Sequence, residues 1–208
     1  MQWSEIIDVE QNSDAWHEAR RGIPTASEFS TLLMQGRGGA SSKTRRTYML
    51  KLIGERLTGE SADTVQTQAM QRGHEMEPEA ADLYAMMYEA PVESVGFIRN
   101  HHYDCGASPD RLVGEDGLLE IKTKVPHLQL DLLLAHEVPD EHADQIQGQI
   151  WLAEREWCDF VSYWPGLPLF VKRVYRDEEH IQRLRQAVEQ FFDELLSLES
   201  RIRSQYTV

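Results

Sequence analysis

The stretch Cys105-Gly106-Ala107-Ser108-Pro109-Asp110-Arg111-Leu112-Val113-Gly114-Glu115-Asp116-Gly117-Leu118-Leu119-Glu120-Ile121-Lys122-Thr123-Lys124 organises the rest of the chain. Glu115-Asp116-Gly117 between apolar pairs is a tight-turn signal, so the stretch reads as a β-hairpin. Strand side chains alternate with period 2. Glu120 and Lys122 therefore share one face, Leu119 and Ile121 point into the core, and the turn brings Asp110 back beside Glu120. Two close carboxylates repel and call for a cation. Oxygen ligands on a rigid scaffold suit Mg²⁺, and a neighbouring lysine can orient and help deprotonate a water. Such a set can cut a phosphodiester. The same charges also fit an ordinary solvated hairpin, and the rest of the chain has to decide.

A chain of 208 residues fits one domain. We expect a single unit over residues 1–208: a helical part over about 1–60, a core over about 70–175 and a C-terminal helix over about 177–203. Hydrophobic residues at 41% can fill a core. No apolar run is long enough for a membrane span, and Met1-Gln2-Trp3-Ser4-Glu5 has no secretory pattern. Cys105 and Cys158 are isolated and lack metal spacing, which suggests a reduced, cytoplasmic setting. The net charge of −14 requires any nucleic-acid surface to be a local basic patch. Arg37, Lys43, Arg45, Arg46 and Lys51, preceded by Arg20 and Arg21, are the candidates.

Ser13 is placed to cap a short helix over 13–21, on which Trp16 and Arg20 share a face. Gly22-Ile23-Pro24 ends it. Thr25-Ala26-Ser27-Glu28 has capping-box spacing and opens a helix to about Met34. Hydroxyls and free N–H groups at a helix start suit an anion, with Arg20 as a bidentate phosphate partner. Plain capping beside a surface arginine explains the same residues. Residues 43–57 form an amphipathic helix with Tyr48, Met49, Leu52, Ile53 and Leu57 inward. Its basic face is either solvated or turned to DNA.

Residues 61–72 read as polar and irregular. A helix follows, with Pro78 in its first turn and Glu77 near its start, where the dipole favours a carboxylate. Glu77 is then either a third acidic group for the site or an ordinary first-turn glutamate. Val92–Arg99 and Tyr103–Ser108 read as strands, with His101 and His102 in the turn between them. Residues 126–138 suggest a loop and short helix. Pro139-Asp140 opens a helix to about Glu156, buried through Ala143, Ile146, Ile150 and Ala153. Gln145 and Gln149 lie one turn apart beside that stripe, able to reach a site or simply to face solvent. Cys158–Trp164 and Leu169–Tyr175 form a closing hairpin. Asp177 caps a long final helix with a core stripe from Ile181 to Ile202.

Together these segments resemble the phage lambda exonuclease (YqaJ-type viral recombinase) family of the PD-(D/E)xK nuclease superfamily. Asp14-Ala15-Trp16-His17 with Arg20, Ile23-Pro24-Thr25-Ala26-Ser27-Glu28, Gly73 with Glu77, Ser108-Pro109-Asp110, Glu120-Ile121-Lys122 and Gln145-Ile146-Gln147 occur in family order. The resemblance implies an α/β fold, a twisted mixed sheet flanked by helices with a restriction-endonuclease-like core. It implies a Mg²⁺-dependent nuclease, with Mn²⁺ as the alternative ion, that digests one strand of linear duplex DNA from the 5′ end. The 3′ overhang would serve a single-strand annealing protein, and the subunits would form a ring-shaped trimer in a bacterial cytoplasm, from a phage or prophage. Asp110 and Glu120 resemble the metal-binding carboxylates, with the Ile121 carbonyl as a further ligand. Lys122 resembles the water-activating lysine, Glu77 the extra acidic group and Gln145 the glutamine beside the metals. Arg20, Ser27 and Ser108, with Trp16, match a 5′-phosphate pocket. Arg37, from the basic cluster, is expected as a further DNA contact, and Met70 falls where the family has a strand-separating wedge. Lys124 departs from the lambda enzyme, which has Cys-Pro directly after the lysine, and residues 125–140 match nothing in it. A same-fold endonuclease, a catalytically silent DNA-binding module and a metal-free carboxylate-pair hydrolase stay open as alternatives.

Overall fold

The computed structural model describes residues 3–36, 42–62 and 67–206. Arg37, expected as a DNA contact, lies outside the described residues, as do Gly38 and Gly39 of its glycine-rich segment. The elements run β1 (Ser4–Ile7), α1 (Asp14–Arg20), α2 (Phe29–Leu33), α3 (Lys43–Thr58), α4 (Gln68–Tyr88), β2 (Val92–Ser94), β3 (Phe97–Asn100), β4 (Cys105–Ala107), β5 (Arg111–Val113) and β6 (Gly117–Lys122). After these come α5 (Pro126–Ala135), α6 (Ala143–Leu152), β7 (Trp157–Ser162), β8 (Phe170–Tyr175) and α7 (Glu178–Tyr206).

Five strands form a mixed sheet in the order β2-β5-β6-β7-β8, and three form a smaller sheet in the order β1-β3-β4. Strands β6 and β7 pair in parallel, with Glu120 opposite Phe160 and Lys122 opposite Ser162. The other pairings are antiparallel. Helices pack on both faces of the larger sheet. One face carries Leu118, Cys158 and Phe160 against α6 and α7 through Ile146, Ile150, Leu184, Val188 and Phe191. The other carries Leu119, Ile121 and Val161 against Ala80, Ala81 and Tyr84 of α4. The expected α/β architecture with a long terminal helix is what the chain adopts.

Helix α6 is the axle between the sheet and the N-terminal segments. Residues Ile146 to Leu152 are all buried, well beyond the expected stripe. Gly148 permits this, because a Cβ there would stand 2.6 Å from the Phe29 ring. Gly106 does the same for the small sheet, where a Cβ would meet the Phe97 ring at 2.1 Å. Asp159 ties β7 and β8 to α4 on the second face of the larger sheet. It accepts Tyr84 Oη at 2.6 Å and both arms of Arg173 at 2.8 Å.

Several boundaries differ from the sequence reading. Thr25 does not cap a helix; Ala26–Glu28 is a 3-10 turn, and α2 starts at Phe29. The Thr25 hydroxyl instead lies 3.2 Å from that of Ser27, and its backbone N–H donates to Tyr48 Oη at 3.3 Å. Helix α4 starts at Gln68, not near Pro78, because Thr67 caps it by accepting the Met70 N–H. Glu77 is therefore a mid-helix residue, and the first-turn dipole argument does not apply to it. Val92–Arg99 is two strands in two sheets. They part at Val95-Gly96, where a Cβ on Gly96 would meet the Ile7 carbonyl at 2.3 Å. Arg45 does not face outward for DNA, since it donates through Nη1 to Glu194 Oε2 at 2.5 Å and through Nε to the Leu32 carbonyl. Both cysteines are buried free thiols. Among the described residues, no helix is long and apolar enough to cross a membrane.

Candidate active site

The β5–β6 hairpin forms as its turn residues dictate, with Arg111 paired to Leu119 and Val113 to Gly117. One residue before β5, Asp110 sits opposite Glu120, and its N–H donates to the Leu119 carbonyl at 3.2 Å. Asp110 Oδ2 accepts the Ile121 N–H at 2.5 Å. The hairpin thus fixes Asp110, Glu120 and the Ile121 peptide in one place.

Glu120 is 2% exposed. Its Oε1 takes Lys122 Nζ at 2.5 Å and Gln145 Nε2 at 2.6 Å, and its Oε2 takes Gln149 Nε2 at 2.6 Å. Lys122 Nζ also donates to Gln145 Oε1 at 3.4 Å. A buried carboxylate is tolerated because both of its oxygens meet donors, one of them a cation. Burial raises the Asp110 carboxyl well above the usual range, and the charges of Glu120 and Glu77 push it further. Burial lowers the Lys122 ammonium, but Glu120 and Asp110 outweigh it, and the net shift is upward. Lys122 therefore stays a cation and counters the paired carboxylates. Glu77 is in electrostatic reach of Asp110, while its Oε1 is held by Arg111 Nη1 at 2.6 Å.

A second cluster lies two residues upstream. Ser108 Oγ accepts Trp16 Nε1 at 2.9 Å and Arg20 Nη1 at 3.2 Å. The Arg20 guanidinium lies 4.0 Å over the Trp16 ring, a cation–π contact that orients its fork. A cavity of about 980 Å³ opens here, lined by Trp16, Arg20, Ser27, Tyr48, Lys51 and, at its rim, the exposed Met70. Ser108-Pro109-Asp110 links it to the carboxylates.

The structure therefore gathers Asp110, Glu120, Ile121, Lys122 and Gln145 in one cluster, with Glu77 at its edge. It gathers Arg20, Ser27, Ser108, Trp16 and Met70 around the adjoining cavity. Gln149 is the residue whose weight the sequence undersold. Its i, i+4 spacing from Gln145 was the available signal; its total burial was not visible. Arg111, which holds Glu77, carried no signal.

Among the described residues, no group of three or more His, Cys, Asp or Glu side chains is placed as a ready metal cage. The donor chemistry nonetheless suits a divalent cation. Two adjacent carboxylates and a peptide carbonyl are hard oxygen donors, and burial together with the charges of Glu120 and Glu77 raises the Asp110 carboxyl, a strain that a cation would relieve. The buried Gln149 Oε1 beside Glu120 also lacks a hydrogen-bond donor.

This arrangement defines a class before any comparison: an α/β fold with paired carboxylates and a lysine on a hairpin, beside an arginine-lined cavity. Residues 15–156 match the YqaJ-like viral recombinase domain, and the chain belongs to that family. It is similar to LHK-Exo, an alkaline exonuclease from Laribacter hongkongensis. The two are 33% identical over 94% of this chain and 98% of that one, with a TM-score of 0.84. A structure of LHK-Exo in complex with dAMP superposes with a TM-score of 0.85, at 33% identity over the same shares of the two chains. A phage-related exonuclease from Haemophilus somnus 129PT shares the fold at 16% identity and a TM-score of 0.61, covering 84% of this chain and 95% of that one. No curated protein sequence matches the chain. Family and neighbours together support a nuclease role.

Proposed function

We propose that the protein is a divalent-metal-dependent exonuclease that digests linear double-stranded DNA from a 5′ end and leaves a 3′ overhang. The observation that carries this reading is the Ser108-Pro109-Asp110 link, which sets an arginine-lined cavity beside a carboxylate–lysine cluster. A strand end held by Arg20 and Ser108 would present its first internal phosphodiester to Asp110 and Glu120. The relative crystallised with dAMP is consistent with release of single nucleotides.

Asp110, Glu120 and the Ile121 carbonyl would hold Mg²⁺, or Mn²⁺ in its place, with Glu77 beside them. Such an ion supplies charge neutralisation and polarisation of the phosphate oxygens. Lys122 orients the attacking water and offsets negative charge at the cleaved phosphate. Gln145 and Gln149 hold Glu120 in one rotamer. Arg20 pairs with the terminal phosphate through a charge-assisted fork, Trp16 fixes that fork, and Ser27 and Ser108 offer hydroxyl donors. Met70 at the cavity rim would wedge the strands apart. Arg37 would contact the duplex. A trimeric ring around DNA would reconcile the acidic composition with a basic interior, and the overhang would pass to a single-strand annealing protein.

Incubation with linear and covalently closed circular duplex DNA, with Mg²⁺ or EDTA, tests the reading. Mg²⁺-dependent loss of linear DNA alone is expected. Cleavage of closed circles points to an endonuclease, binding without cleavage to a silent module, and full activity in EDTA to a metal-free hydrolase.

A further inference from the structure

Lys124 follows Lys122 by two residues and precedes the turn into α5. Its Nζ donates to Glu141 Oε1 at 3.0 Å and lies 3.3 Å from His142 Nε2. Lys124 and His142 are firmly seated, with side chains 21% and 12% exposed, whereas Glu141 is 66% exposed. The His142 ring stacks on Phe160 at 5.1 Å. The charges of Lys122, Lys124 and Glu120 all reach His142, so this cluster adjoins the carboxylate site.

Its side of the sheet matters. Ser108 leads into β5, the neighbour of β6 on one side, while Phe160 lies on β7, the neighbour on the other. Arg20 and Ser108 therefore lie on one flank of the Asp110–Glu120 pair, and Lys124 and His142 on the other. On the nuclease reading, a strand gripped at its end by Arg20 and crossing the carboxylates would continue towards Lys124.

We propose that Lys124 and His142 form a binding site for the next backbone phosphate of the nucleic-acid strand, beyond the one at Asp110 and Glu120, and that Glu141 covers this site when no strand is bound. This rests on the nuclease reading. An ammonium is a suitable phosphate donor, and His142 Nε2, 3.3 Å from Glu141 Oε1, supplies a second donor in its Nε2–H tautomer. Glu141 reaches Lys124 from the solvent side, and an ion pair open to water on one side is weak, so a phosphate can displace the carboxylate. Until then Glu141 occupies the cation and repels other anions.

The test is kcat/KM on 5′-phosphorylated linear duplex DNA in Mg²⁺ across a range of NaCl, for wild type, Lys124→Ala and Glu141→Gln, with thermal unfolding to show that each variant folds. Lys124→Ala should lower kcat/KM by about tenfold, mainly through KM, and flatten the salt slope by about 0.9. Glu141→Gln should act in the opposite sense and lower KM about two- to fivefold. A Lys124→Ala slope equal to wild type, or a Glu141→Gln KM that is unchanged or raised, overturns the proposal while leaving the nuclease reading in place. No cleavage by wild type removes both.

Discussion

Gln149 Nε2 lies 2.6 Å from Glu120 Oε2, one helical turn from the Gln145 Nε2 that donates to Glu120 Oε1 at the same distance. A buried helix thus clamps both oxygens of a buried strand carboxylate. Removing one donor leaves a charged acceptor unsatisfied, at a cost of roughly 1–3 kcal/mol. Gln149→Leu should lower the melting temperature by roughly 2–4 °C per kcal/mol lost and reduce cleavage. A variant as stable and as active as wild type would contradict the clamp.

The pH dependence of stability follows from Asp110. Its folded pKa is raised, so the folded protein binds more protons than the unfolded chain above about pH 4. Stability then falls as pH rises through the window between the two values. Metal-free protein should lose melting temperature from mildly acidic to neutral pH, and Mg²⁺ should restore it. Asp110→Asn should flatten the metal-free profile and abolish the restoration. Calorimetry in EDTA and in Mg²⁺ reads both effects.

Arg20 should govern end preference. Arg20→Ala removes a charge-assisted contact worth about 1.5–3 kcal/mol. Activity on 5′-phosphorylated ends should fall roughly 10- to 100-fold, with little change on 5′-hydroxyl ends. Rates on the two substrates, measured side by side, decide it. Equal losses on both would exclude Arg20 from phosphate recognition.

Asp159 provides a contrast away from the site. It ties α4, β7 and β8 together through Tyr84 and Arg173. Asp159→Ala leaves Arg173 without its carboxylate and should cost about 3 kcal/mol. Chemical denaturation measures the loss, and the salt dependence of cleavage by the folded fraction should match wild type.

The hairpin was legible in the sequence because its signals are local: a Glu-Asp-Gly turn, apolar alternation and a Ser-Pro-Asp start. The same held for α1, with Ser13 as its cap, and for α7, with its seven-residue-spaced core stripe. What escaped depended on tertiary context. The start of α4 was hidden because Thr67 is an unremarkable cap in a polar stretch, and Pro78 drew attention to the wrong turn. The break at Gly96 is dictated by the approach of β1, nearly ninety positions away in sequence. The unbroken burial of Ile146 to Leu152 in α6 follows from packing against Phe29 on one side and the sheet on the other, and that packing is what brings Gln149 onto Glu120. The ion pair of Glu77 with Arg111 crosses from a helix to a strand and leaves no periodic trace.

The central claim is that the Asp110–Glu120–Lys122 cluster cuts DNA from an end held by Arg20. It is tested most directly by following single-nucleotide release from 5′-phosphorylated linear duplex in Mg²⁺, with wild type beside Lys122→Ala. Release by wild type, lost in folded Lys122→Ala, is the predicted result. Undiminished release by Lys122→Ala would contradict the assignment.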